Sequence, residues 1–82
     1  MDADVLDLFA GTGALGIEAL SRGARRAVFV DRLAEAVDLV SRNLQSCDLE
    51  DRARVVRADG LRWLATTDDR WGLVLLDPPY PF

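Results

Sequence analysis

The 82 residues contain no histidine and no lysine, and every basic side chain is an arginine. Without an imidazole or a primary side-chain amine, the chain cannot build Ser-His-Asp or Cys-His nucleophilic centres, histidine metal sites or lysine Schiff bases. Its one cysteine, Cys47, can close no internal disulfide and supply no cysteine-rich zinc site, which fits a reducing, cytoplasmic setting without metal. Long apolar runs are missing as well. Asp7 and Glu18 interrupt the first stretch far short of membrane-spanning length, and Met1-Asp2-Ala3-Asp4 lacks the positive region of a signal peptide. Basic excess is lacking too, because 10 arginines against 14 acids leave a net charge of −4. Nucleic acid therefore cannot be held by a global positive field, and any such contact must come from a local site. The length allows one small domain.

What is present is an alternation of short apolar runs with longer periodic segments, without repeats or linker composition. Val5 to Phe9 reads as a first strand, stopped by Gly11-Thr12-Gly13. Ala14 to Arg22 reads as a helix burying Leu15, Ala19 and Leu20 with Ile17 alongside, and Gly23 ends it. Ala27 to Val30 is a second strand ending at Asp31. It is followed by an amphipathic helix whose apolar face is Leu33, Ala36, Val37, Val40 and Leu44, extended by Cys47. Ala53 to Arg57 is a weaker third strand, Gly60 to Ala65 a short helix, and Leu73 to Leu76 a fourth strand. This order predicts an α/β fold: a Rossmann-like, doubly wound parallel sheet in strand order 3-2-1-4, with ligands beyond the carboxyl ends of the strands. The fourth strand is apolar at every position, the pattern of a strand covered on both faces, and its outer edge would be bare. Such an edge invites self-association.

Gly11-Thr12-Gly13-Ala14-Leu15-Gly16 matches G-x-G-x-x-G between a strand and a helix, where glycines permit a tight turn and close approach of a ligand. The same turn can also be purely structural. Asp31 follows the second strand at the position where a carboxylate can accept both hydroxyls of a ribose, or can cap the next helix. Asp59-Gly60 has the same two readings, as a cap or as an acceptor for the exocyclic amine of adenine. Asp7 stands among Val5, Leu6 and Leu8, where an ionised carboxylate is costly unless paired, and it reads as a ligand for a cationic group. In Asp77-Pro78-Pro79-Tyr80 the prolines stiffen the turn and remove two amide donors. The Asp77 carboxylate and Pro78 carbonyl are left as acceptors for a base NH2, with Tyr80 as a stacking face, although the segment also reads as a plain strand-terminating turn with an aromatic plug. Arg25, Arg26, Arg52, Arg54, Arg57 and Arg62 could touch phosphate, but in so acidic a chain they read rather as a solvated face with ion pairs, and Trp63 and Trp71 read as packing residues.

Val5-Leu6-Asp7-Leu8-Phe9-Ala10-Gly11-Thr12-Gly13, Asp31, Asp59 and Asp77-Pro78-Pro79-Tyr80 together resemble the ordered motifs of class I S-adenosylmethionine-dependent methyltransferases. Asp77-Pro78-Pro79-Tyr80 is similar to the (Asp/Asn)-Pro-Pro-(Tyr/Phe) motif of enzymes that methylate exocyclic amines. Residues 13–24, Gly13 to Ala24, resemble the RsmD family, which methylates guanine N2 in small-subunit ribosomal RNA.

The resemblance implies that S-adenosylmethionine is the cofactor and ribosomal RNA or the small ribosomal subunit the partner. It implies that Asp7 and Phe9, Ala10, Gly11, Thr12 and Gly13 hold the methionine moiety, Asp31 the ribose, and Asp59 with the Gly60 amide the adenine. Asp77 and Pro78 would grip the target amine, guanine N2 in preference to adenine N6, with Pro79 stiffening the turn and Tyr80 stacking on the base. It also implies a larger sheet, so residues 1–82 are expected to be a partial methyltransferase domain whose amino-terminal segment and later strands are missing. Two other readings of the glycine pattern stay open: a nicotinamide-dinucleotide-binding oxidoreductase half-domain, and a non-catalytic cofactor-binding fragment.

Overall fold

The computed structural model describes residues 3–68 and 70–76. The strands are β1 (Asp4–Leu8), β2 (Arg26–Asp31), β3 (Ala53–Arg57) and β4 (Leu73–Leu76). The α-helices are α1 (Ala14–Ser21), α2 (Ala34–Ser46) and α3 (Gly60–Thr66), and a single 3₁₀ turn, Glu50–Arg52, leads into β3. All strand pairs are parallel and the order is β3-β2-β1-β4, as the alternation predicts. Boundaries fall within two residues of the sequence reading. The 3₁₀ turn was not foreseen, because a three-residue turn leaves no periodicity to read.

Two cores flank the sheet. On one face Val5, Ala27 and Phe29 pack with Ala19, Leu20 and Ala24 from α1 and the turn after it, and with Val40 and Leu44 of α2. On the other, Leu6, Leu8, Val28 and Val30 are covered by Trp63 and Leu64 of α3 and by Trp71. β1 and β2 lie in the middle and are buried on both faces, which is why their sequences run apolar almost without alternation. β4 forms an edge, with Leu73, Val74 and Leu76 exposed. Among the described residues β4 has no strand on its outer side, and cover on both faces of this strand is not found.

Three expectations about helix faces are corrected. Leu15 is 48% exposed, and the residue that faces the sheet in its place is Gly16. A Cβ on Gly16 would lie 2.3 Å from Phe29 Cε2, so α1 sits too close to β2 at that point for any side chain. Leu33, taken as part of the buried face of the second helix, is 53% exposed because it precedes α2 and lies beyond the strand ends. Cys47 is the exposed C-cap of α2 rather than an extension of its apolar face.

No described helix is long and apolar enough to cross a membrane.

Candidate functional site

At the carboxyl end of β1 the chain turns sharply. Phe9 adopts φ 57°, a left-handed conformation that is unusual for a bulky side chain, and Gly11 and Gly13 have φ 57° and 81°. Gly13 is also confined by Val40 and Ile17, which a Cβ would meet at 3.2 and 3.4 Å. The turn is held from outside by Ala10 N–H donating to Val30 O at 3.2 Å and by Asn43 Nδ2 of α2 donating to Thr12 O at 2.8 Å.

Two carboxylates reach into this loop. Asp7, 2% exposed, is the one buried charged residue among the described residues, and its Oδ2 accepts from Gly16 N–H at 3.1 Å in the first turn of α1. A helix amino terminus carries partial positive charge and unpaired amides, so this contact offsets part of the cost of burying the carboxylate. Asp31, the last residue of β2, accepts from Gly11 N–H at 3.1 Å through one oxygen and from Leu33 N–H at 3.0 Å through the other. It is not the N-cap of α2, since Leu33 holds that position, but it fixes the entry to that helix.

Asp7, Phe9, Ala10, Gly11, Thr12 and Asp31 border one cleft of about 300 Å³, within the range of small-molecule sites. Ala14, Leu15, Arg32, Leu33 and Ala36 complete its wall. The sequence reading missed these five. In the sequence Leu15 and Leu33 fall on apolar helix faces and nothing sets them apart from core residues. Gly13 lies behind the loop and does not border the cleft. Asp59 and Gly60 do not border it either: Asp59 is the N-cap of α3, accepting from Arg62 N–H at 3.0 Å, and Gly60 is buried against Leu8. Asp77, Pro78, Pro79 and Tyr80 lie outside the described residues. Among the described residues no group of three or more Cys, Asp or Glu is placed to hold a metal ion.

The loop amides are largely occupied by the chain itself. Gly11 N–H is taken by Asp31, Gly13 N–H by Ala10 O at 2.7 Å, Ala14 N–H by Thr12 Oγ1 at 3.3 Å, and Gly16 N–H by Asp7. A pyrophosphate needs such amides unclaimed. This turn offers carboxylates where an anion cradle would offer N–H donors.

The topology, the glycine loop at the sheet's carboxyl rim and the acid closing β2 define the Rossmann-like core of the class I methyltransferases. Over residues 1–82 the sequence matches the family described as "Conserved hypothetical protein 95", and the chain belongs to that family. YlbH of Bacillus subtilis (strain 168), provisionally named an rRNA methyltransferase, is 47% identical over 78 residues, covering 92% of this chain and 42% of that protein. Ribosomal RNA small subunit methyltransferase D of Escherichia coli (strain K12) is 38% identical over 80 residues, covering 98% of this chain and 40% of that protein. Among solved structures, a conserved hypothetical protein of Streptococcus pyogenes superposes with a TM-score of 0.90 at 39% identity, over 96% of this chain and 49% of that one. The chain thus spans less than half the length of these relatives, and the resemblance to the RsmD family is borne out.

Proposed function

We propose that the cleft binds S-adenosylmethionine and that the protein methylates an exocyclic base amine, guanine N2 of small-subunit ribosomal RNA, in the cytoplasm. The observation that carries this reading is the pairing of loop amides with the chain's own acids and carbonyls. A dinucleotide site uses those amides on pyrophosphate, and the Asp7 carboxylate, seated on the Gly16 amide at the start of α1, would repel that group. The same carboxylates favour a ligand bearing positive charge and hydroxyls. Apolar cover from Leu15, Leu33 and Ala36 and a size of about 300 Å³ also fit such a ligand.

S-adenosylmethionine, when bound, supplies a methyl group on a positively charged sulfur. The chain's part is to bind and orient. Asp31 can accept the ribose hydroxyls, because each of its oxygens accepts only one hydrogen bond from a backbone amide and keeps further acceptor capacity. Asp7 and the loop from Phe9 to Thr12, shaped by Gly13, hold the methionine end; Asp59 and Gly60 do not border the cleft, and on this reading they meet the adenine only where the ligand extends past its wall toward the end of β3. The base amine is a poor nucleophile because its lone pair is delocalised into the ring. Acceptors from Asp77 and Pro78 on its two hydrogens favour the pyramidal nitrogen, Pro79 stiffens their turn, and Tyr80 holds the base plane. The methylated nitrogen then loses its proton to Asp77 or to water, so no histidine is required.

Calorimetric titration with S-adenosylmethionine and, separately, NADH tests the reading. Saturable binding of the first alone is expected. Binding of NADH alone would replace it with a dinucleotide site, and binding of neither by a folded chain would overturn the pocket assignment.

A further inference from the structure

Four of the arginines that read as a solvated face come together at the opposite end of the sheet. Arg25, Arg26, Arg52 and Arg54 line a cleft of about 250 Å³, with Asp51 as its one carboxylate. Most of these side chains are held in place. Arg25 forks onto Asp4 at 2.8 and 2.6 Å, and Arg26 reaches the same carboxylate at 3.2 Å while its guanidinium lies 5.0 Å from the Trp71 ring centre. Arg52 donates to the carbonyls of Ala24 at 2.8 Å and Leu20 at 3.2 Å, where α1 ends. Arg54 is exposed, and no carboxylate pairs with it among the described residues. Within the lining of the cleft four guanidinium groups stand against the one carboxylate of Asp51, while Asp4, Asp48 and Glu50 lie beside it at the same end of the sheet.

β3, whose amino end borders this cleft, runs toward the rim that carries the cofactor site. β3 is the edge strand next to β2, in register Val28↔Arg54 and Asp31↔Arg57. Arg54 and Arg57 are both exposed, about 10 Å apart at roughly 3.3 Å per residue, and they leave the strand on opposite faces, so the basic track passes over the sheet edge. Arg57 Nε donates to Arg32 O at 3.1 Å, and Arg32 borders the cofactor cleft. Arginines thus run from one rim to the other along the β3 edge.

We propose that this cleft and the β3 edge are a contact surface for the phosphate backbone of the RNA strand whose base enters the active site. The proposal rests on the methyltransferase reading. Rigidly held guanidinium groups suit phosphate oxygens, and charge spread over a track suits a polyanion better than a single small anion, for which converging unclaimed donors would be needed. The blander reading is an edge strand protected by charge against sheet pairing. It predicts no loss of RNA affinity when the charge is reversed.

The test is fluorescence anisotropy with a labelled RNA hairpin over a salt series, using the wild-type chain, Arg54→Glu, Arg54→Gln and, as a control off the track, the exposed Arg70→Glu. Arg54→Glu is expected to weaken RNA binding about tenfold, Arg54→Gln less, and each to lower the slope of log K against log salt by about one. Calorimetric affinity for S-adenosylmethionine should stay unchanged, which also shows that the variants fold. Unchanged RNA affinity in Arg54→Glu, or an equal loss in Arg70→Glu, would overturn the surface. So would displacement of the RNA by inorganic phosphate at the same ionic strength, which would indicate a small-anion site. Loss of cofactor binding by the wild-type chain would instead strike the methyltransferase reading.

Discussion

Asp31 accepts a hydrogen bond of 3.1 Å from the amide of Gly11, joining the end of β2 to the loop that follows β1 across 20 positions of sequence. The second oxygen of the same carboxylate takes the Leu33 amide at 3.0 Å, so one side chain ties the glycine loop to the entrance of α2. The loop's shape and the acid proposed to hold ribose are therefore a single unit.

Replacing that carboxylate should act on folding and binding together. Asp31→Ala removes two acceptors at a partly exposed site and is expected to cost about 1–2 kcal/mol of stability. Its affinity for S-adenosylmethionine should fall at least about tenfold, as expected for losing hydrogen bonds to a charged acceptor. Asp31→Asn keeps one acceptor oxygen and should fall between. Urea denaturation with calorimetry separates the two effects, and wild-type affinity in Asp31→Ala would remove Asp31 from the binding site.

Gly16 tests the packing that sets the site. A Cβ there would approach Phe29 Cε2 and Cζ to 2.3 and 2.8 Å and Asp7 Oδ2 to 3.0 Å. Gly16→Ala must push α1 off the sheet or displace the ring, at about 1–3 kcal/mol. Adding Phe29→Leu removes the obstructing ring edge, so the double variant should lose less than the sum of the two single losses. Additive urea midpoints would show that the contact with Phe29 is not what limits this position.

The strand order was legible in the sequence because apolar runs at β1, β2 and β4 alternate with helical periods, and short parallel connections leave few topologies. The cleft was legible only in part. Asp7, Asp31 and the glycine loop stand out as polar or glycine residues at strand ends, whereas Leu15 and Leu33 look like core. Periodicity counts apolar residues without knowing where the sheet stops, and both residues lie past its rim. The amide pairing of Asp7 was not readable either, since it depends on α1 packing close enough for Gly16 to meet the β1 side chain. The arginine cleft was hidden for a similar reason: Arg25, Arg26, Arg52 and Arg54 are brought together only by the pairing of β2 with β3.

Asp4 gives the molecule a defined acid response. Hydrogen bonding from Arg25, then from Arg26, holds its carboxyl down to about 2 from an ordinary 3.8, against a desolvating environment. A group whose folded value is depressed stabilises the fold above its unfolded value, and that contribution fades as pH falls from 3.8 toward 2. Asp4→Asn should therefore be less stable than wild type near about pH 6, with the gap closing toward about pH 2. Urea midpoints of both chains across that range provide the check, and a gap independent of pH would show that the arginine pairing is not its source.

Asp77 is expected to act on transfer and not on cofactor affinity. In the full-length protein, Asp77→Ala should abolish methylation of the base amine while S-adenosylmethionine binds nearly as before, because in the proposed role the lost acceptor serves the amine and not the cofactor. Equal loss of cofactor affinity would move Asp77 into the cofactor pocket. Single-turnover methyl transfer and calorimetry on the same preparation distinguish the two.

Asn43 is the side chain through which α2 steadies the glycine loop, since its Nδ2 donates to Thr12 O at 2.8 Å while Val40, one turn earlier, closes over Gly13. This hydrogen bond is exposed, so water can replace it on the carbonyl and Asn43→Ala should change global stability by no more than about 1 kcal/mol. Its effect should instead be local. Freed from α2, the loop samples conformations in which Gly11 no longer meets Asp31, and cofactor binding must reorder it, lowering affinity by about the fraction of time the loop is misplaced. Amide exchange at Gly11 and Gly13 should accelerate in the free chain and return toward wild-type rates when S-adenosylmethionine saturates the site. Asn43→Asp should behave like the alanine variant or worse, because a carboxylate cannot donate to the Thr12 carbonyl and sets a negative oxygen against it. Wild-type exchange rates in both variants would show that the glycine turn holds itself and that α2 contributes packing alone.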